Sequence, residues 1–310
     1  MNYRLLKELC AIPGTAGDEG AVRDFVVEYL ADNAPRFAAT PEVFSGPGFQ
    51  DMVIAVFGKP RTAVFAHLDT VGYTVAHEKT LFKVGNPKAE TGAQLVGEDE
   101  EGPISCRLVV NPKKKGGQET LSYDFDRPIA PGTVLTYAPD WKETRDYVNS
   151  AYLDNRLGVW NALQMAETME NGALVFSTYE EHGGGGAQFA GGFLQQRYGV
   201  HQALISDVTL VTKHIKHRKG VAISMRDRGI PRRAFVNRII DVAKTQAIPF
   251  QLEVENAGGS DGNALQGSSH LWDWCFIGPP EANYHRPGEK VFKGDILAMR
   301  RLYDALIAEL

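Results

Sequence analysis

ALVFSTYEEHGGGGAQFAGGFLQQRYGVHQALISD, residues 173–207, is the stretch on which the fold turns. It reads as a strand over 173–179, a helix over 186–198 and a second strand over 202–207, with two carboxylates and four glycines where the first strand ends. The same alternation continues outward. A helix is expected over 155–170 on one side, and on the other strand 220–225, helix 231–246, strands 249–254 and 274–277, and helix 292–309. Upstream, Val22, Phe25, Val26, Tyr29 and Leu30 form one apolar stripe of a helix within 17–33. MVIAVFG (52–58) and TAVFAHL (62–68) read as adjacent strands joined in a hairpin by Lys59-Pro60-Arg61. The prediction is an α/β fold, a mixed and mostly parallel sheet flanked by helices. Between them the periodicity changes. ISCRLVV (104–110), ETLSYDF (119–125) and GTVLTYA (132–138) are short strand-like runs separated by Lys, Gly and Pro turns. Residues 74–145 are therefore expected to form a small inserted all-β domain, with 1–73 and 146–310 making one α/β domain.

Composition narrows the function. With 310 residues and a formal net charge of −5, the chain lacks the basic surface that phosphate backbones require, so nucleic acid is not an expected partner. Cys10, Cys106 and Cys275 are odd in number and far apart, which suits a reducing compartment. The first apolar stretch is broken by Lys7 and Glu8, unlike a secretory signal, and no run approaches the roughly 18 apolar residues of a membrane span. A soluble, cytoplasmic protein is expected. Gly183 to Gly186 are too few for a linker and lack the Lys-Ser/Thr ending of a phosphate loop.

The residues that carry chemistry sit where strands end. His67 and Asp69 close an apolar strand two positions apart, hence on one face; such a His can bind a metal while the Asp orients it. Glu180-Glu181 follow another strand. Adjacent carboxylates there repel unless a cation or proton compensates, and their side chains diverge, so one suits ligation and the other general-base work on water. Asp154 begins a helix, Asp207 ends a strand and His285 lies in a loop after WCFIG. Each alone reads most simply as a cap, a turn or polar surface. Together, His67, Asp154, Glu181, Asp207 and His285 fall at the ends of one inferred sheet. Five nitrogen and oxygen donors without a thiolate suit two divalent ions, zinc in the first place and cobalt or manganese as alternatives, bridged by one carboxylate.

At this point the sequence resembles the tetrahedral, or deblocking and glutamyl, aminopeptidases. The resemblance runs through Ile12-Pro13-Gly14, AHLDTVGY (66–73), YLDNRLG (152–158), YEEHGGGGA (179–187), SDVT (206–209), GGSDGNA (258–264) and YHRPGE (284–289). It implies a zinc-peptidase-like fold and hydrolysis of N-terminal residues from peptides. It also implies that Asp154 bridges two ions, with His67 and Asp207 on one and Glu181 and His285 on the other. Glu180 would be the general base and Asp69 the partner of His67. His182 stands where that family usually has a small apolar residue, and Arg286-Pro287 where it has Ser-Pro. Gly259, Ser260, Asp261 and His182 are expected to bind substrate, and a homo-oligomer is the expected assembly.

Rivals remain on the sequence. An N-acyl amino acid deacylase or a carboxypeptidase-type amidohydrolase would use the same dinuclear centre, and a binding protein would keep it without turnover. Gly258-Gly259-Ser260-Asp261-Gly262 fits the G-x-S-x-G pattern of a serine hydrolase, with His285 as base, though few acids lie between Ser260 and His285. His214 and His217 in KHIKHRK (213–219) read as a solvated basic loop, Trp272 and Trp274 as core, and Arg228, Arg232 and Arg233 as an exposed cluster at a helix start.

Overall fold

A strand that is apolar on both faces has to be covered twice, and that requirement organises this molecule. In the computed structural model, which describes residues 2–112 and 119–310, the chain opens with α1 (Arg4–Cys10), α2 (Gly20–Asn33), β1 (Glu42–Gly46), β2 (Gln50–Phe57) and β3 (Thr62–His67). There follow β4 (Gly72–Val75), β5 (Thr80–Val84), β6 (Gln94–Asp99), β7 (Gly102–Asn111), β8 (Thr120–Asp124) and β9 (Val134–Tyr137). Short β10 (Lys142–Glu143) and β11 (Tyr147–Ser150) lead to α3 (Leu153–Ala166), β12 (Gly172–Ser177), α4 (Gly186–Tyr198), β13 (Gln202–Ser206) and β14 (Thr209–Leu210). The chain ends with β15 (Val221–Arg226), α5 (Arg233–Thr245), β16 (Phe250–Val254), α6 (Asp261–Gln266), β17 (Asp273–Gly278), β18 (Pro280–Ala282), β19 (Glu289–Phe292) and α7 (Lys293–Glu309).

Eight strands form the main sheet in the order β1-β2-β12-β3-β13-β17-β15-β16. The run β12-β3-β13-β17 is parallel, as is β15-β16, while β1-β2, β2-β12 and β17-β15 are antiparallel. The pleat sends Val53, Ala55, Phe57, Val64 and Ala66 to one face, packed with side chains of α1, α2, α3, α5 and α7. It sends Met52, Ile54, Val56, Ala63 and Phe65 to the other, packed with α4 and α6.

The hairpin expected through Lys59-Pro60-Arg61 does not form. The chain reverses there, but β12 lies between β2 and β3 and pairs with both. A turn fixes a reversal of direction and not the neighbour; all six residues of β12 are buried, so it belongs at the centre.

Residues from Gly72 to Tyr137 supply a closed barrel, ordered β4-β5-β8-β7-β6-β9, around Tyr73, Leu95, Leu108, Leu121 and Leu135. Closure removes the unpaired edges that short strands otherwise expose. β10 and β11, by contrast, join β19, β18 and β14 in a second, five-stranded sheet, so Lys142 and Glu143 lie outside the barrel. The turn expected at the lysines and glycines of 113–117 lies outside the described residues.

Phe65 is fully buried in β3 whereas Phe82, in the barrel, is 64% exposed. Phe65→Ala is expected to cost about 3–5 kcal/mol in denaturant unfolding, and Phe82→Ala within about 0.5 kcal/mol. Equal losses would contradict this assignment of the core.

Candidate metal centre

Ligands collect beyond the carboxyl ends of parallel strands, where successive chain ends converge. Here His67 is the last residue of β3, Asp207 follows β13, and Glu180 and Glu181 follow β12. Asp154 sits in the first turn of α3, and His285 in the loop between β18 and β19.

The turn after β12 is held from beneath by two carboxylates. Glu19 accepts the Tyr179 N–H at 3.2 Å and the Gly17 N–H at 2.9 Å. Asp69 accepts the N–H groups of Glu180 and Glu181 at 3.0 and 2.9 Å. The Asp69 side chain therefore orients the two glutamates more directly than it orients His67, whose Nδ1 is 3.6 Å from Asp69 Oδ1 but 3.0 Å from the Asp69 backbone carbonyl. That carbonyl only accepts, so the ring proton belongs on Nδ1 and the lone pair of Nε2 points into the cleft. His285 repeats the arrangement, with Nδ1 donating to the Asn86 carbonyl at 3.0 Å.

Both Nε2 atoms face oxygens that also only accept. His67 Nε2 lies 3.4 Å from Asp154 Oδ1 and 3.5 Å from Asp207 Oδ2. His285 Nε2 lies 3.3 Å from Asp154 Oδ2 and 3.2 Å from Glu181 Oε1, which is buried without a donor. Acceptors aimed at acceptors are reconciled by a cation between them. Two such groups occur, His67–Asp154–Asp207 and Asp154–Glu181–His285, each with donor atoms within 4.8 Å of one another and one Asp154 oxygen apiece. The donor set fits divalent metal ions.

The electrostatics agree. Burial pushes the Asp207, Glu180 and Glu181 carboxyls up, and repulsion from Asp154, Glu181 and Asp154 respectively adds to it. Burial pulls both imidazoles down, yet the facing carboxylates outweigh it, leaving His67 well above its ordinary value and His285 at about 11. Asp154 is desolvated too, though half-buried, and its two imidazole neighbours hold it below the usual carboxylate range. With no ion between them the imidazoles would therefore carry a second proton on Nε2 toward the facing carboxylates; a divalent cation supplies the same positive charge with Nε2 as its ligand, and the cluster is stable when positive charge is supplied in one of these forms.

Outside the donors, Ser260 Oγ donates to Asp207 Oδ2 at 2.6 Å. Glu289 accepts the N–H groups of both Asp154, at 3.2 Å, and His285, at 2.9 Å. Arg156, two residues past Asp154, is fully buried and donates to the carbonyls of Leu9 at 3.2 Å, Ile12 at 3.0 Å and Leu68. Among the described residues no carboxylate forms a salt bridge with it. A cavity of about 400 Å³ holds His67, Asp154, Asp207, His285 and Gly259 on its wall. A neighbouring one of about 510 Å³ shares Glu180 and Glu181 with it and adds Ser260, Asp261 and Arg228.

Of the residues expected at the substrate, Gly259, Ser260 and Asp261 reach these cavities. A side chain at Gly259 would meet Asn263 Oδ1 at 1.7 Å and could enter only if the Asn263 side chain moved. His182 does not reach them: it is exposed, and its Nδ1 accepts the Gly85 N–H at 3.1 Å. The serine-hydrolase arrangement is not assembled, since the Ser260 hydroxyl is committed to Asp207 and His285 faces Asp154 and Glu181. Among the described residues neither His214 nor His217 belongs to a metal-competent group. Trp274 is core, and Arg232 is paired with Asp273. Glu19 and Glu289 were missed. Glu289 stands within the quoted YHRPGE run, and an acid opening an apolar strand was its available signal. Asn86 acts through its backbone and left none.

Residues 123–302, more than half of the chain, match the M42 glutamyl aminopeptidase family. The protein belongs to that family. A curated relative from Acetivibrio thermocellus, provisionally named an aminopeptidase, is 25% identical over 333 residues, covering 98% of each chain. Aminopeptidase APDkam598 from Desulfurococcus kamchatkensis is 20% identical with a TM-score of 0.83, covering 99% of this chain and 94% of its own. The TET1 peptidase of Pyrococcus horikoshii, described as assembling into a tetrahedron or a large octahedral shell, is 22% identical with a TM-score of 0.80, covering 98% of each chain. This M42 chain is thus a metal-dependent aminopeptidase.

If Ser260 only steadies Asp207, Ser260→Ala should lower aminoacyl-nitroanilide hydrolysis by about 10–100-fold. Loss of a serine nucleophile removes about a millionfold; a drop of that size in steady-state turnover would restore the serine mechanism.

Proposed function

We propose that the chain hydrolyses peptides at their N-terminal residue with two divalent ions, zinc in the first place, and that it favours substrates whose first residue is acidic. The observation that carries the centre is the pair of imidazole lone pairs facing carboxylate oxygens across two points that share Asp154. In this reading Asp154 serves both ions, His67 and Asp207 complete one set, and Glu181 and His285 the other. When bound, such ions acidify water and polarise a carbonyl.

The chain's own groups do the rest. Glu180 Oε2, 4.0 Å from His67 Nε2, stands at the mouth of the cleft without belonging to either donor group. Its carboxyl is raised well above the ordinary value by burial, and by Glu181, Asp207 and Asp261, against the pull of His67. That suits a general base, which removes a proton from water and returns it to the nitrogen of the leaving peptide as the amide bond breaks. The Asp69 carboxylate fixes this base through the Glu180 N–H. Gly259 lets the substrate backbone approach, and Ser260 and Asp261 line the same wall.

Acid selectivity is assigned to Arg228. It lines the cavity beside Glu180, is exposed, and among the described residues forms no salt bridge. Of Arg228, Arg232 and Arg233 it is the one on the cavity wall. The barrel supports treating residues 74–145 as an inserted domain, and the assemblies of similar proteins support a homo-oligomer. Cys10, Cys106 and Cys275 are buried free thiols, which favours the cytoplasm; no described helix is long and apolar enough to cross a membrane.

Hydrolysis of glutamyl-, aspartyl- and leucyl-nitroanilides should vanish with chelator and return with zinc, cobalt or manganese. Chelator-resistant turnover would overturn the reading. Glu180→Gln should lower kcat at least about a hundredfold while both ions stay bound in equilibrium dialysis, and Asp154→Asn should lose metal. Arg228→Ala should raise KM for glutamyl substrates about tenfold, as expected on losing one hydrogen bond to a charged group, and leave leucyl substrates unchanged; a uniform change would remove Arg228 from specificity.

A further inference from the structure

The two donor groups differ in what holds them. The His67–Asp154–Asp207 group is fixed by the ends of β3 and β13, by the Asp69 carbonyl and by Ser260, all within the α/β part of the chain. The Asp154–Glu181–His285 group relies on His285, a residue in an irregular loop with φ +58°, in the left-handed region. Its imidazole has one partner for Nδ1, the carbonyl of Asn86, and Asn86 belongs to the loop that joins β5 to β6 of the barrel.

That loop runs alongside the His285 segment over 85–90. The Lys88 N–H donates to the His285 carbonyl at 2.9 Å, the Lys88 ammonium lies 4.9 Å from the centre of the Tyr284 ring, and Glu90 pairs with Arg286. On the other flank Gly85 N–H donates to His182 Nδ1 at 3.1 Å. Gly85 has φ +68°, and a Cβ there would come within 3.2 Å of both Glu181 Cβ and the Glu181 carbonyl. The far end of the contact is tied into the barrel, because Tyr137 Oη donates to the Lys88 carbonyl at 3.2 Å and lies 2.8 Å from Tyr73 Oη. One loop of the barrel therefore bonds His285 directly and, through Gly85, the residue next to Glu181, so it borders the two donors unique to the second group.

We infer that residues 85–90 are a positioning strap through which the barrel sets the affinity of the second metal position. The inference rests on the donor assignment under Proposed function. The strap fixes the proton of His285 on Nδ1, and so keeps Nε2 free as a donor. The Lys88 N–H and the Glu90–Arg286 pair hold the backbone on which that imidazole is mounted. Movement of the strap releases the imidazole but leaves His67, Asp207 and Ser260 in place, so the second ion is the one that weakens.

The test is zinc titration of the full-length, metal-free protein by calorimetry and by equilibrium dialysis, which report two dissociation constants without reference to activity. Gly85→Val and Glu90→Arg are each expected to weaken one ion, by about tenfold for the first, in the range typical of partners behind a ligand, with the other unchanged. Combining Glu90→Arg with Arg286→Glu recreates the ion pair in reverse and should restore the weaker ion. Two unchanged constants in the single variants, or two that weaken together, would overturn the strap. If Gly85→Val does not fold, the Glu90 and Arg286 pair decides alone. His285→Ala separates the layers: retention of both ions there refutes the donor assignment, whereas loss of one ion there with none in the strap variants refutes only the strap.

Discussion

Four carboxylates, those of Asp154, Glu180, Glu181 and Asp207, converge on one cleft, and their mutual repulsion is the constraint around which the remaining structure is arranged. Isolated buried carboxylates are costly, so each needs donors behind it or a cation in front. The first are few, the Ser260 hydroxyl and the Val208 N–H on Asp207, whereas Asp69, Glu19 and Glu289 accept backbone N–H groups and so hold the chain on which the cleft carboxylates are mounted. The imidazole orientation prepares for the second. A cleft built this way has little tolerance for error in its supports, since a displaced support leaves a charge uncompensated in place of a lost contact.

The acids also explain why the site sits where it does. Parallel β3, β12 and β13 end side by side, and their N–H groups and the loops beyond them offer donors that a strand's interior has already spent. Because these strands are buried on both faces, they are anchored by the core on both sides. The chemistry is carried by short extensions of a rigid layer, and only His285 hangs from a loop.

The main layer was legible from residues 173–207 because its strands are continuously apolar and are separated by a run of helical length that opens at the last of four glycines; α4 runs over 186–198 as expected. Strand order was not. Which strand neighbours β2 depends on competition among buried runs across more than 100 residues, and no local turn encodes that. The barrel was seen as β-rich, but three runs stood for six strands, since β4 is only four residues long and β5 and β6 are partly exposed and show little alternation. In the site, side chains that reach the cleft directly were visible because their residue types are chemically committed. Asn86 and the Asp69 carbonyl were invisible because any residue has a carbonyl, and His182 was misplaced because a ring next to two glutamates is as free to turn toward the barrel as toward the cleft.

Arg156 ties these parts together in a way that reaches the start of the chain. Its guanidinium is desolvated, which pulls it down to about 10, and its donors are satisfied by carbonyls of Leu9, Ile12 and Leu68. The last of these adjoins Asp69, and the arginine itself stands two residues past Asp154. Residues 9–12 are thus a solvent substitute for a cation in the interior. Proteolytic trimming up to residue 12 would strip two acceptors from that cation while touching no donor of the metal centre, so the opening segment supports the helix that carries Asp154 without entering the cleft.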